Sequence, residues 1–258
     1  MKLGVSYNIF DGEELLENSI RSIRENVDYI SVVYQEISNF GNPCNDNLVP
    51  LINKLKSEGL VDEIFKYRPQ PQRGGHFNEI NKRNIGLLLS EGAKCTHHMA
   101  MDSDEFYTEE QFKFLKKEMV RGDYDSSCCQ MTTYYKEPQY RLDPKEDYYV
   151  SLIYKIRKGK QYVMGLPFPT LVDPTRRMET DKCKIFTRDE IEMHHMSYVR
   201  KDLKVKLTNS SASPNFKSID KLCDYFNNWE YPKDALMGGV PDTFYKIVKT
   251  EKLFDSWN

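Results

Sequence analysis

Three acids occupy four consecutive positions in the segment Asp102-Ser103-Asp104-Glu105, which directly follows a mostly apolar stretch of the chain. Carboxylates this close repel one another and resist transfer out of water, so a folded chain has to offset their charge. Asp102 and Asp104 are one residue apart and can both face a hard cation. Oxygen ligands at that spacing suit Mg²⁺ or Mn²⁺. The sequence therefore predicts a divalent metal site at Asp102 and Asp104.

Other interpretations of the acids compete with the metal site. An EF-hand loop beginning at Asp102 requires glycine at its sixth position and glutamate at its twelfth. This chain has Tyr107 and Lys113 there, so the sequence excludes an EF-hand. A phosphatase-type aspartate nucleophile is expected after a first strand, not a fourth. A solvated acidic loop that caps the next helix stays open as an alternative.

The chain before the acids alternates between patterns typical of strands and of helices. Strands are predicted over 3–9, 29–34, 62–67 and 95–101, and helices after an Asp11 cap with Glu14 at the capping-box position, from about Leu48, and over about 78–91. This order is typical of a parallel sheet with helices on both faces. The acids then fall at the carboxyl end of the fourth strand, where open α/β sheets bind their ligands.

The pattern changes after a helix that Thr108 and Gln111 are predicted to open. The later predictions are strands over 126–135, 148–157 and 191–196, and helices over 198–208 and from about 218. We predict one α/β domain over 1–258, with a mixed, mainly parallel sheet flanked by helices. Its parts are a nucleotide-binding half over about 1–107, a substrate-side half over about 108–215 and a C-terminal helical extension over about 216–258.

A cation and an amide, Arg83 and Asn84, lie near the start of the helix that precedes the acids. Helix N-termini attract phosphate, and arginine is a good bidentate partner for it. An ordinary exposed helix charge is the alternative interpretation of Arg83 taken alone. Together with the acids at the strand end, the pair favours a phosphate-bearing ligand.

The composition narrows the classes of partner. The formal charge of −2 and the isoelectric point near 6.3 give no basic field of the kind that nucleic-acid-binding proteins use. No apolar run approaches the roughly 18 residues of a membrane span, and no signal peptide is recognisable, so we expect a soluble, cytoplasmic protein. The six cysteines form no CxxC pair and are expected to be reduced thiols.

Four segments resemble, in order and spacing, motifs of the GT-A-fold glycosyltransferases, particularly the family 2-like group. They are Val5-Ser6-Tyr7-Asn8 with the helix that carries Glu14, Arg83-Asn84-Ile85-Gly86, Met101-Asp102-Ser103-Asp104-Glu105, and His194-His195-Met196-Ser197-Tyr198-Val199-Arg200. The resemblance covers roughly residues 3–208. The first strand departs from the group by lacking an apolar run that ends in Pro-Thr-Tyr-Asn. The second strand ends in Gln35-Glu36 where the group frequently has Asp-x-x-Ser, and both departures affect the positions that would bind base and ribose.

The resemblance implies a GT-A catalytic domain that moves a hexosyl or pentosyl group from a nucleotide-diphosphate sugar, with a UDP-sugar favoured, to a glycan or other hydroxyl acceptor. Mn²⁺ or Mg²⁺ held by Asp102 and Asp104 would neutralise the leaving diphosphate. One histidine of the pair at 194 and 195 would complete the metal site; neighbours on a strand point to opposite faces, and we favour His195. The substrate-binding residues implied are Tyr7, Asn8, Glu14, Arg83, Asn84, Asp102, Ser103 and Arg200, with Lys204 or Lys206 as further diphosphate contacts.

An inverting enzyme of this kind also needs a general base that takes the proton of the acceptor hydroxyl. Asp173, Glu179 and Asp181 are the candidates for this base, and the sequence does not choose among them. Asp104 is the other catalytic residue implied, through the metal that it would hold. A retaining enzyme needs no such base.

Two other functions remain as alternatives. A nucleotidyltransferase acting on sugar phosphates would share the α/β layer, the metal and the nucleotide. It typically carries a Gly-rich basic loop after its first strand, whereas this chain has an acidic loop there with the single glycine Gly12. A non-catalytic nucleotide- or carbohydrate-binding module is the second alternative, and a phosphohydrolase ranks behind both.

Overall fold

The computed structural model describes residues 1–210, 213–239 and 241–254. The strands are β1 (Leu3–Ile9), β2 (Tyr29–Tyr34), β3 (Glu63–Lys66), β4 (His97–Met101), β5 (Glu105–Phe106), β6 (Ser126–Tyr135), β7 (Glu137–Asp143), β8 (Tyr149–Lys155), β9 (Cys183–Ile185), β10 (Glu192–Tyr198), β11 (Ala235–Met237) and β12 (Thr243–Lys249). The helices are α1 (Glu13–Ile23), α2 (Leu48–Ser57), α3 (Gly75–Gly92), α4 (Glu109–Gly122), α5 (Leu203–Asn209) and α6 (Ile219–Asn227). Within these described ranges, no helix is long and apolar enough to cross a membrane.

The strands form one mixed sheet in the order β11-β12-β7-β6-β8-β4-β1-β2-β3, with β9 and β10 beside β6 and with β5 beside β10. The part of the sheet built by the first half of the chain is parallel. In it, β1 pairs in parallel with β2 and with β4, and β2 pairs in parallel with β3. β8 runs antiparallel to β4 and connects this part to β6 and β7. The predicted α/β class and the predicted order of the first four strands and three helices are confirmed. The carboxyl ends of β1, β2 and β4 therefore lie at the same edge of the sheet.

The side chains of β1 alternate between two environments. Leu3, Val5 and Tyr7 belong to the main hydrophobic core, whereas Gly4 and Ser6 face α3. Successive strand residues point to opposite faces of a sheet, so Asn8 lies on the α3 side at the carboxyl end of the strand. The small residues on this face allow α3 to pack closely on the sheet.

One helix start differs from its prediction and another agrees with it. Gly12, in a left-handed conformation with φ 111°, is the residue that precedes α1, so the predicted Asp11 cap is wrong. Glycine adopts this conformation at no steric cost, and the turn does not need a capping side chain. The capping box of α4 is confirmed, because the Thr108 side chain accepts a bond from the Gln111 backbone and the reciprocal bond is also present.

Among the described residues after 215, α6 is the only helix, and two strands follow it, so the prediction of a helical extension is corrected. β11 and β12 follow α6, and β12 pairs with β7, which the sequence did not predict. β7 contains Pro138, and a proline argues against an inner strand in sequence-based reasoning. The helix predicted from Tyr198 begins at Leu203, because Tyr198 still belongs to β10. Residues 211–212, 240 and 255–258 of the predicted parts lie outside the described residues.

We predict that Gly86→Ala destabilises the protein by about 1–3 kcal/mol, the usual cost of overpacking a core. A Cβ at Gly86 of α3 would lie 2.1 Å from Ser6 Oγ and 2.4 Å from Ser6 Cβ. Gly92, at the end of the same helix, has no atom within 4 Å of such a Cβ. Gly92→Ala should therefore be neutral or stabilising by up to about 1 kcal/mol. Urea unfolding of both variants tests this, and equal stabilities would contradict the close packing of α3 on β1.

Candidate functional site

A cleft lies at the carboxyl ends of β1, β2 and β4. Polar side chains from the strand ends, from α3 and from the C-terminal half of the chain face one another across it. The lining residues are Asn8, Phe10, Asp11, Gln35, Asn39, Glu79, Lys82, Arg83, Asp102, Ser103, Asp104, Asp173, Arg200, Lys206, Asn209 and Ser210. The predicted position of the acids at the carboxyl edge of the sheet therefore agrees with the cleft.

Asp104 is the most strongly charge-paired acid in the cleft. Its side chain is 3 % exposed, and Oδ2 accepts bonds from Arg200 Nη2 at 3.0 Å and from Lys206 Nζ at 2.7 Å. Burial alone would raise the pKa of Asp104, but the charges of Lys206 and Arg200 hold it well below its usual range. Asp104 is therefore a carboxylate at neutral pH, and its charge positions the segment after β10 and helix α5.

Arg176 binds the other two acids of the cluster from behind the cleft. This buried guanidinium donates to Asp102 Oδ2 at 2.6 Å and also to Glu105 Oε1. Burial would raise the pKa of Asp102, but Arg176 and Arg83 hold it at about 2. Burial raises the pKa of Glu105 to about 7, although Arg176 opposes the shift. The charge of Arg176 therefore offsets the repulsion between Asp102 and Glu105, which the spacing of the acids in the sequence led us to expect.

Arg83 connects the acids to a loop of the C-terminal half. Its Nη2 lies 3.6 Å from Asp102 Oδ2 and 3.8 Å from Asp173 Oδ2, and its Nε donates to Thr175 Oγ1 at 3.3 Å. Asp173 begins a 3-10 helix at Pro174–Arg176, where its Oδ1 accepts bonds from the backbone and hydroxyl of Thr175. Asp173 Oδ2 is thereby directed to the cleft beside Arg83. This arginine is buried in a charge network and is not an exposed helix residue.

The three candidates for the general base lie in different surroundings. Asp173 lines the cleft. Glu179 is exposed and pairs with Lys160, and Asp181 is also exposed; neither contributes to the cleft wall. The structure therefore brings one of the three carboxylates to the acids at the end of β4.

The predicted binding residues also separate into two groups. Asn8, Ser103 and Arg200 line the cleft with Arg83 and Asp102. The amide nitrogen and oxygen of Asn8 are buried and have no hydrogen-bond partner among the described residues.

Three other predicted binding residues hold the fold together. The Tyr7 hydroxyl bonds Ser19 Oγ at 3.0 Å in the core, and Asn84 bonds the backbone of Tyr162 in both directions at 3.0 and 2.7 Å. Glu14 accepts a bond from the backbone of Lys201 at 2.7 Å, next to the cleft and not inside it.

The two histidines of β10 point to opposite sides, as strand geometry requires. His194 is buried, and its Nδ1 lies 2.9 Å from the Tyr134 hydroxyl. His195 pairs in register with Glu105 of β5, and its Nε2 lies 3.9 Å from Asp104 Oδ1. The structure therefore places His195, and not His194, beside the acids.

Asp104 and His195 have the protonation states that a metal ion requires. Asp104 is ionised, and burial lowers the pKa of His195 against the pull of Asp104, which leaves a neutral imidazole. Carboxylate oxygen and imidazole nitrogen are suitable donors for Mn²⁺ or Mg²⁺. Among the described residues, no three His, Cys, Asp or Glu side chains are grouped closely enough to hold a metal ion as they stand. The donor chemistry fits a divalent ion, and metal binding stays a prediction.

Several residues of the site were not singled out from the sequence. Arg176 binds the acids, and Glu79 and Lys82 line the cleft. Arg176 lies in a short 3-10 helix far along the chain, so no local pattern connects it to β4. Lys82 directly precedes Arg83 in the sequence. Its position next to the predicted phosphate-binding pair, Arg83 and Asn84, is the signal that could have identified it.

Comparison with known proteins identifies the fold. No protein-family profile matches the sequence, and no curated protein sequence matches it. Residues 1–349 of TarS from S. aureus match with a TM-score of 0.50 at 11 % identity, over 81 % of this chain and 66 % of that chain. TarS 1–349 in complex with UDP-GlcNAc matches with a TM-score of 0.46 at 12 % identity, over 81 % and 67 %. The chain thus spans about two thirds of the TarS fragment, and its fold is the GT-A fold that the motifs implied.

We predict that Arg176→Met lowers the free energy of unfolding by about 3–5 kcal/mol, because it leaves buried carboxylates without their cation. Adding Glu105→Gln to that variant removes one of these charges and should recover a large part of the loss. Arg68→Met, at an exposed arginine, should change stability by less than about 0.5 kcal/mol. Denaturant unfolding of the three variants measures these values. A double variant that is no more stable than Arg176→Met would show that Glu105 is not the acid that needs Arg176.

Proposed function

We propose that this protein is a glycosyltransferase that moves a sugar from a nucleotide-diphosphate sugar to a hydroxyl group of a glycan or other acceptor. The observation that carries the proposal is the cleft at the carboxyl ends of β1, β2 and β4 of a GT-A fold, which is lined by the ionised Asp102 and Asp104, with His195 Nε2 3.9 Å from Asp104 Oδ1. TarS, which shares this fold, is known in complexes with UDP and with UDP-GlcNAc. A UDP-sugar is accordingly the donor that we propose.

The charge balance of the cleft supports a divalent metal ion as part of the donor site. Among the residues that the structure describes, five carboxylates and four cationic side chains line the cleft, so this wall has no surplus of positive charge to receive a diphosphate. Mn²⁺ or Mg²⁺ would be held by Asp102, Asp104 and His195. When bound, such an ion neutralises charge that develops on the leaving diphosphate.

The cations around the acids have a positioning role in this proposal. Arg176 fixes Asp102 from behind the cleft, and Arg200 and Lys206 fix Asp104 from the opposite side. Because these bonds use Oδ2 of each acid, Oδ1 of Asp104 is left facing His195. The carboxylates are therefore held in place before a donor arrives, which reduces the ordering that binding requires.

Asp173 is the residue that we propose as general base. It lines the cleft, one of its oxygens is fixed by Thr175, and its other oxygen lies near Arg83. An acceptor hydroxyl bound against that second oxygen could transfer its proton as the new glycosidic bond forms. Glu179 and Asp181 lack a path to the cleft, because both are exposed and lie outside its wall.

The first test is donor hydrolysis and transfer with a panel of UDP- and GDP-sugars, with Mn²⁺ and with EDTA. We expect turnover that EDTA abolishes and added Mn²⁺ restores, and a loss of at least about 100-fold in Asp104→Asn. Glu109→Gln, on the exposed side of α4, is the matched control and should be as active as the wild type. Turnover that continues unchanged in EDTA would refute the assigned metal role, and no turnover or binding with any sugar nucleotide would refute the function.

A second test concerns the base. Asp173→Asn should lower kcat for transfer by about 10²–10⁴, the usual contribution of a general base, with little change in donor binding. Glu179→Gln and Asp181→Asn should keep kcat within about twofold. NMR of the product anomer accompanies these assays, because a product with retained configuration needs no base. Such a product, or an active Asp173→Asn enzyme, would remove this role from Asp173.

A further inference from the structure

Helix α3 presents three charged side chains to the cleft: Glu79, Lys82 and Arg83. Lys82 is 5 % exposed and stands on the inner face of the helix, one turn after Glu79. A lysine this deeply buried is uncommon without a partner, because moving an ammonium group out of water costs free energy. Lys82 is therefore expected to have an acidic partner close to it.

Of the four cations that line the cleft in the described parts of the chain, three have acids within ion-pair distance. Arg200 pairs with Asp104 and Asp11, and Lys206 pairs with Asp104. Arg83 lies between Asp102 and Asp173.

Lys82 differs from these three residues. In the part of the chain that the structure describes, Lys82 has no carboxylate within the ion-pair limit of 4.0 Å and no hydrogen-bond acceptor. Its electrostatic attraction to Glu79 and Asp102 acts over longer distances. Nη1 of the neighbouring Arg83 is likewise buried and without a partner among the described residues.

Burial of Lys82 without a close acidic partner among the described residues changes the pKa of its side chain. Burial lowers the pKa of Lys82 to about 8, against the attraction of Glu79 and Asp102 and with the repulsion of Arg83. The side chain is therefore largely protonated at pH 7, and no carboxylate of the described residues lies within ion-pair distance of its charge. An anion that enters the cleft would pair with Lys82. This pairing would offset the desolvation cost of the buried ammonium group and so favour binding of the anion.

We propose that Lys82 binds a phosphate group of the nucleoside diphosphate donor and is the cleft's dedicated protein cation for that group. The inference rests on the proposed function, and it adds a residue on the side of the cleft formed by α3. Arg200, Lys206 and Arg176 hold Asp104, Asp102 and Glu105 in place, whereas Lys82 remains available to the ligand. Phosphate oxygens are strong acceptors for an ammonium group.

The test compares Lys82→Met with the wild type. Methionine has a similar length and no charge, so it suits a buried position. Calorimetric titrations in the presence of Mn²⁺ use four nucleosides, uridine, guanosine, adenosine and cytidine, and their mono- and diphosphates. Lys117→Met, at an exposed lysine of α4, is the matched control. The melting temperature of each ligand-free protein is measured in parallel.

We expect Lys82→Met to bind the preferred nucleoside diphosphate about 10- to 100-fold more weakly than the wild type, the range for loss of a charged hydrogen bond. Binding of the parent nucleoside should change by less than about twofold. Ligand-free Lys82→Met should melt at a higher temperature than the wild type, because it no longer buries an unpaired charge. A lysine with a structural role alone would give the opposite shift.

Different results identify different failures. Wild-type protein that binds no nucleoside diphosphate overturns the proposed function, and this inference with it. If the wild type binds one and Lys82→Met binds it equally well, the function stands and the role of Lys82 is overturned. An equal loss of affinity for nucleoside and diphosphate also overturns that role, because Lys82 would then shape the base or ribose pocket.

Discussion

Arg176 binds Asp102 and Glu105 behind the cleft, Arg200 and Lys206 bind Asp104 at its opposite side, and the rest of the site depends on these pairs. Acids at the end of a buried strand can remain ionised only if cations lie within a few ångströms of them. The pKa values of Asp102 and Asp104 are held low by these cations, while that of Glu105 is raised. The ionisation of Asp104 thus depends on residues from the C-terminal half of the chain, and that of Asp102 depends on Arg176 together with Arg83 of α3.

The same ion pairs join the two halves of the protein. The loop with Asp173 and Arg176, the segment after β10 and helix α5 each place a charged side chain against the carboxyl edge of the parallel strands. Removing one partner from such a network leaves another charge buried and unpaired, which costs more than the net value of the pair. The same ion pairs therefore both form the cleft and hold the C-terminal half against the parallel strands.

Close packing of α3 on β1 determines what this helix presents to the cleft. Gly86 of the helix packs closely against Ser6 of the strand, and Ser90 of the helix packs closely against Gly4. The helix residues nearer its N-terminus are then carried to the carboxyl ends of the strands, so that Lys82 and Arg83 line the cleft. Glycine in the Arg-Asn-x-Gly segment has a packing role here, and the asparagine bonds the backbone of Tyr162. The motif therefore contains structural residues as well as residues of the cleft.

The sequence by itself determined the α/β order of the first half, the position of the acids at the carboxyl end of β4 and the opposite directions of His194 and His195. These features follow from local periodicity and from strand geometry, which nearby residues encode. Strand alternation would also have separated Tyr7 from Asn8, because one faces the core and the other the cleft. Only the tertiary structure decided which carboxylate among Asp173, Glu179 and Asp181 reaches the cleft, that Arg176 holds the acids, and that Lys82 has no ion-pair partner among the described residues. Those facts depend on contacts between distant segments, as between Arg176 and Asp102, which are 74 residues apart, and no local pattern records them.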